Sequence, residues 1–261
     1  MRLSINAVLD YDFTEPTDVL LALNAAQMAD QQVTDESLII TGSGPLSNLG
    51  GGSGIGLRTW TRANPGRMVA TYKATVAVDR RPEVLQRLRK SPLASLPEDV
   101  LPFIWPSRYC EADRFVSFVC GHFEGLEGGA LVQALADWVH DNLAYVSGSS
   151  DGATTAADTF VSQQGVCRDY AHLTAALIRS RDIPARLVSV YAWGLEPPDF
   201  HAVVEVWLDG AWHLVDATRL APLEAMIRIA VGRDATDIAF MTAFGQAMMN
   251  AQSIEVARLP D

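Results

Sequence analysis

Leu3, Ile5, Ala7, Leu9, Tyr11 and Phe13 recur with a period of two, so all of these apolar side chains project from one face of an extended chain. Met68, Ala70, Tyr72, Ala74, Val76 and Val78 repeat the pattern. Between these two predicted strands lie shorter apolar runs at Val19–Leu23 and Leu38–Thr41, then a Gly/Ser-rich stretch from Gly42 to Gly56. The expectation is an antiparallel sheet or sandwich with one flexible loop. Gly50, Gly51 and Gly52 read as the tip of that loop and not as a phosphate cradle, because no Lys-Ser/Thr pair follows them.

From Arg80 to about Glu124 the apolar segments are short and interrupted by Pro82, Pro92, Pro97, Pro102 and Pro106, which keeps any helix there short and marks a connector. The period changes after Glu127. Leu131, Leu135, Trp138, Val139 and Leu143 fall at spacings of three and four, which predicts an amphipathic helix ending near Tyr145. A loop over Ser147–Gly152, a short helix over Thr154–Gln164, a break at Gly165 and a second helix over Ala171–Ser180 follow. Strands are predicted over Arg186–Trp193, Ala202–Leu208 and Trp212–Ala217. The expected organisation is a β-rich N-terminal domain over 1–80, a connector with short helices over 81–125, and an α+β unit of helices on an antiparallel sheet over 126–261.

Charge narrows the partners. The chain carries 31 acidic and 20 basic residues, a formal charge of −11, and shows no basic stripe, so a phosphate backbone would be repelled and no nucleic-acid partner is expected. The first residues alternate apolar and polar instead of forming a signal peptide, and no run approaches the ~18 apolar residues of a membrane span. A soluble, cytoplasmic protein without a membrane partner is the expectation. Three cysteines, Cys110, Cys120 and Cys167, with no CxxC pair, fit a reducing compartment and leave at least one thiol free. Cys110 and Cys120 read as small, half-buried core residues in preference to a disulfide.

Cys167 stands directly after the Gly165 break, at the start of a predicted helix. A helix N-terminus presents unsatisfied N–H groups and about half a positive charge, which stabilises a thiolate and supplies donors for an oxyanion. Downstream, Asp209-Gly210 separates two apolar strands and predicts a two-residue hairpin turn. With those two residues as the loop, Leu208 faces Ala211, Val203 faces Asp216 and His201 faces Thr218. His201 and Asp216 then project from one face as diagonal neighbours, within reach of an imidazole and a carboxylate. A nucleophile, a base and an orienting acid in the order Cys, His, Asp are the minimum set for thiol acyl transfer. Asp169 reads as a first-turn residue that caps its helix. His122, His140, His172 and His213 have no placed acid, and Trp138, Trp207 and Trp212 read as core. Tyr145 and Gln164 are candidates for a side-chain oxyanion donor, with no spacing that singles either out.

Four blocks, Gly165–Leu173, Arg181–Val188, His201–Val206 and Trp212–Thr218, resemble the bacterial transglutaminase-like superfamily in order and spacing, over roughly Ser150 to Arg219. The strands before Asp79 resemble the β-rich domain that often precedes this core. The resemblance implies a papain-like α+β core in which Cys167 is the nucleophile, His201 the general base and acid, and Asp216 its orienter. The last block reads Asp216-Ala217-Thr218 where the family usually has Asp-Pro-Thr. Animal members use calcium, but no EF-hand-type loop is present here, so neither metal nor cofactor is expected. The function implied is a cysteine-dependent peptidase or amidase acting on a peptide or protein substrate. The alternatives are protein-glutamine transamidation and a non-catalytic binding module on the same fold. The sequence leaves the oligomeric state open.

Overall fold

The computed structural model describes residues 1–260. The alternating N-terminal segment forms β1 (Arg2–Phe13), which buries every odd-numbered side chain from Leu3 to Phe13. β2 (Thr17–Leu21) and β3 (Gln31–Thr41) follow. The expected flexible loop over 42–56 holds more structure than its composition suggests. Ser47–Gly50 forms β4 and pairs antiparallel with β5 (Leu57–Ala63). All four residues of β4 are exposed, so no apolar alternation marks it, and the inward positions of β5 include Thr59 and Thr61. β6 (Gly66–Val78) buries Met68, Ala70, Tyr72, Ala74, Val76 and Val78 as its period of two demands.

The connector contains only single 3₁₀ turns before α1 (Val116–His122). The second half then runs through α2 (Gly128–Asn142), β7 (Ala144–Tyr145), α3 (Ala156–Ser162), β8 (Gln164–Gly165), α4 (Cys167–Arg179), β9 (Ala185–Ala192), β10 (His201–Leu208), β11 (Ala211–Val215), β12 (Met226–Gly232) and α5 (Ala235–Ile238). β11, β10, β9 and β12 form one antiparallel sheet in that order. Every residue of β9 and β12 is buried, the signature of a sheet covered on both faces. On one face Leu131, Leu135 and Val139 of α2 and Leu173 and Leu177 of α4 pack with Val204 and Val206 of β10. On the other, Tyr191, Ile227 and Ile229 pack with Leu3, Leu9 and Tyr72.

The last strands, β13 (Met241–Ala243) and β14 (Ala247–Arg258), correct the expected allocation of residues 126–261 to a single unit. β13 pairs with β2, and β14 runs antiparallel along the whole of β1, from Leu3↔Arg258 to Phe13↔Ala247. The N-terminal sheets therefore read β14-β1-β6-β3 and β13-β2-β5-β4, closed by the two ends of the chain. A twelve-residue strand such as β1 has two rows of backbone donors and acceptors; β6 satisfies one, and β14 satisfies the other. Only Ile254 is fully buried in β14, so its sequence carries little periodic signal.

A buried ionic chain ties the two halves together. Glu205 on β10 accepts from Arg186 Nε at 2.8 Å and from Arg228 Nε at 2.6 Å, and Arg228 and Arg80 both reach Asp30 of the N-terminal unit. The Arg186 guanidinium also lies 4.1 Å from the centre of the Trp212 ring, a cation–π contact.

Candidate active site

Gly165 and Asp169 fix the start of α4. A Cβ on Gly165 would stand 2.6 Å from the Asp169 Cβ, so only glycine lets that side chain fold back over the break. Asp169 Oδ2 accepts from the Val166 N–H at 2.9 Å and from the Ser150 hydroxyl, while its Oδ1 pairs with Arg168 Nη2 at 3.0 Å. It caps the helix, as its first-turn position predicts. The helix thus begins at Cys167 itself, four residues before the predicted Ala171, and Cys167 is half-buried at its first turn while every residue from Asp169 to Arg179 is buried.

The hairpin forms in the expected register, with Leu208↔Ala211, Trp207↔Trp212 and Val204↔Val215. Asp209 and Gly210 both take positive φ, 47° and 82°, as a two-residue turn between right-twisted strands needs. Asp216 lies one residue beyond the ladder, and its Oδ2 sits 2.9 Å from His201 Nε2. Its Oδ1 accepts from the Thr218 N–H at 2.9 Å and the Thr218 hydroxyl at 2.7 Å. Thr218 thereby orients the carboxylate in a block that has Ala217 in place of proline. Burial opposes a charge on His201, but the hydrogen bonds to Asp216 and to Cys167 outweigh it and push the imidazole up to about 10. Because Asp216 takes Nε2, Nδ1 is the ring nitrogen left for Cys167. Nucleophile, base and acid predicted from sequence are therefore brought together.

Tyr145 joins them. β7 and β8 pair in parallel, with Tyr145 opposite Gly165, which sets the phenol beside Cys167 two residues on. Burial, and then the charge on Cys167, raise the Tyr145 hydroxyl to about 12, so it stays a donor through the neutral range. Tyr145 and Gln164 belong to the same pair of short strands and both are exposed; Tyr145 differs in standing opposite Gly165, with its hydroxyl in hydrogen-bond reach of Cys167. The remaining histidines bind backbone: His122 to Phe118 O, His140 to Ala217 O, His213 to Leu208 O, and His172 to the Ala235 N–H. Burial holds His172 neutral, at about 3. All three thiols are free; Cys110 is fully buried, which pushes it up to about 12, and Cys120 is exposed, so neither is the half-buried residue expected. Among the described residues no group of three or more His, Cys, Asp or Glu side chains is arranged to hold a metal ion, and no helix is long and apolar enough to cross a membrane.

A cleft of ≈ 570 Å³ opens over Cys167 and His201. Phe200 and Phe240, stacked at 4.3 Å, form one wall. Tyr11 of β1 and Met249 and Gln252 of β14 form another, so the two ends of the chain complete the site.

Comparison with known proteins agrees with this architecture. Residues 126–217, which contain Cys167, His201 and Asp216, match the transglutaminase-like superfamily. A solved structure described as "a Putative Cysteine Protease from Cytophaga hutchinsonii" superposes with a TM-score of 0.95 at 36% identity, covering 100% of this chain and 91% of that one. The chain belongs to the transglutaminase-like superfamily, and the α+β core with a β-rich N-terminal part is its fold. An uncharacterised protein of Mycobacterium leprae is 34% identical over 119 residues, and one of Methanocaldococcus jannaschii 30% identical over 106. Those matches span 41% and 36% of this chain and only 42% and 30% of the two relatives, so the chain covers less than half the length of either curated protein.

Proposed function

We propose that this protein is a cysteine-dependent hydrolase of amide bonds, with Cys167 as nucleophile, His201 as acid and base, and Asp216 as the group that orients His201. The observation that carries the reading is the single imidazole shared between a carboxylate 2.9 Å from Nε2 and a thiol at a helix start, on the floor of an open cleft. In the first half-reaction the Cys167 thiolate adds to the carbonyl carbon. The oxyanion is met by the Cys167 N–H and the Tyr145 hydroxyl. As the C–N bond breaks, His201 gives its Nδ1 proton to the departing amine and a thioester remains. In the second, neutral His201 takes a proton from water, the hydroxide equivalent adds to the thioester, and the C–S bond breaks to release the acid and restore the thiolate–imidazolium pair. An amine could replace water only if it were held in near-attack geometry, since effective molarities of about 10⁵ M belong to oriented nucleophiles.

The test is to supply a glutamine-containing peptide together with a millimolar primary amine and to measure free acid against amide product. Free acid should predominate at every amine concentration. An amide product that saturates with amine would reveal an acceptor site and replace hydrolysis with transamidation.

A further inference from the structure

The cleft over Cys167 is walled mainly by apolar side chains, and among the described residues Asp199 is the only carboxylate on its lining. Asp199 is exposed, two residues before His201, and one of its oxygens is already fixed: Oδ1 accepts from the Phe200 N–H at 2.7 Å and from the Gln252 amide of β14 at 2.5 Å. Its second oxygen, Oδ2, accepts no hydrogen bond from any described residue. The Gln252 contact joins the final strand to the segment carrying His201, so the carboxylate is pre-positioned by the same pairing that closes the cleft. Its field reaches the reacting centre, since Asp199 is among the groups that raise the Tyr145 hydroxyl, after burial and Cys167. Arg168 also lines the cleft, but its guanidinium is engaged by Asp169 and the Asp151 carbonyl, so it offers an incoming group less than Asp199 does. A fixed carboxylate with one open oxygen, beside a thiol in an apolar cleft and on a chain of net charge −11, is a receptor for a cation.

We propose that Asp199 determines specificity by binding an ammonium group of the substrate close to the carbonyl that Cys167 attacks, either a lysine-type side chain or a free N-terminal amine. The assignment rests on Cys167 being the reacting group. Gln252 positions Asp199, and the apolar wall of Phe200, Phe240 and Met249 accepts the hydrocarbon part of the same substrate.

Labelling of Cys167 tests this without requiring turnover. The rates of modification by 2-aminoethyl methanethiosulfonate and by its sulfonatoethyl counterpart are measured at Cys167 and, in the same molecule, at exposed Cys120, which reports the general effect of the protein's net charge. The ammonium-to-sulfonate ratio should be about tenfold or more higher at Cys167 than at Cys120, as one charge-assisted contact would give. Asp199→Asn should remove most of that excess, and Asp199→Glu should keep part of it, which guards against a merely misfolded variant. No excess at Cys167, or an excess unchanged by Asp199→Asn, overturns the proposal. The source of the ammonium is read from kcat/KM on matched peptides with lysine or norleucine beside the scissile bond, each with a free or acetylated N-terminus. A gain from either source that shrinks in Asp199→Asn supports the assignment and names the source; no gain from either contradicts it. If the labelling ratio behaves as expected while no peptide is hydrolysed, the hydrolase reading fails and the cation site stands.

Discussion

Replacing Asp216 with Asn should leave a folded protein that turns over an amide substrate about 10² to 10⁴ times more slowly, the upper end being the cost of the same change in a serine triad. The asparagine amide would present a donor or a weaker, uncharged acceptor to His201 Nε2, where the carboxylate now accepts at 2.9 Å. A thiolate–imidazolium pair formed before substrate arrives needs the acid less than a serine does, which moves the expectation below that upper end. The loss should carry a pH signature. Asp216 is among the groups that push His201 up to about 10 from an ordinary 6.5, so without it the imidazolium deprotonates at lower pH and the alkaline limb of the rate profile moves down. A group whose pKa is raised on folding stabilises the native state fully below its unfolded value, and that stabilisation fades as pH rises through the folded value. The stability gap between wild type and Asp216→Asn should therefore be full at and below about pH 6.5 and narrow as pH rises toward 10. Wild-type turnover with an unshifted profile would remove Asp216 from the mechanism.

Glu205→Gln should be the most damaging of the conservative changes to stability, at about 3–5 kcal/mol in urea unfolding. Glu205 is fully buried between Arg186, at 2.6 Å from its Oε2, and Arg228, at 2.6 Å from its Oε1. Neutralising it takes away the one carboxylate that Arg186 pairs with among the described residues and leaves Arg228 with Asp30 alone, which Arg80 also uses. Asp30 belongs to the N-terminal unit and Glu205 to the strand that carries His201, so the variant should also lose activity at temperatures where wild type is intact. A loss under about 1 kcal/mol, the range of an exposed pair, would show that water or local rearrangement compensates the arginines.

The juxtaposition of residues in the candidate site was legible in the sequence because each part rests on local rules. Gly165 and Asp169 mark a helix start, and Asp209-Gly210 fixes a hairpin whose register follows by counting, so Cys167, His201 and Asp216 could be placed without the fold. The surroundings of that site depend on long-range pairing that leaves little local trace. β14 is largely exposed and alternates only over Gln252–Ala257, yet it closes the N-terminal sheet and supplies Met249 and Gln252 to the cleft. Tyr145 likewise owes its position to a two-residue parallel bridge with the segment before Cys167. Glu205 is one polar residue in a mostly apolar strand, and its partners Arg186 and Arg228 come from two other strands.

Intact-mass and peptide mass spectrometry of enzyme quenched within milliseconds of mixing with a reactive peptide ester or amide is the most direct test of the central claim. The account predicts an acyl adduct on Cys167, released by hydroxylamine as a thioester should be, which builds up faster than free acid appears and is absent from Cys167→Ala. Hydrolysis that proceeds at the wild-type rate in Cys167→Ala, or an acyl group found on any residue other than Cys167, would contradict it.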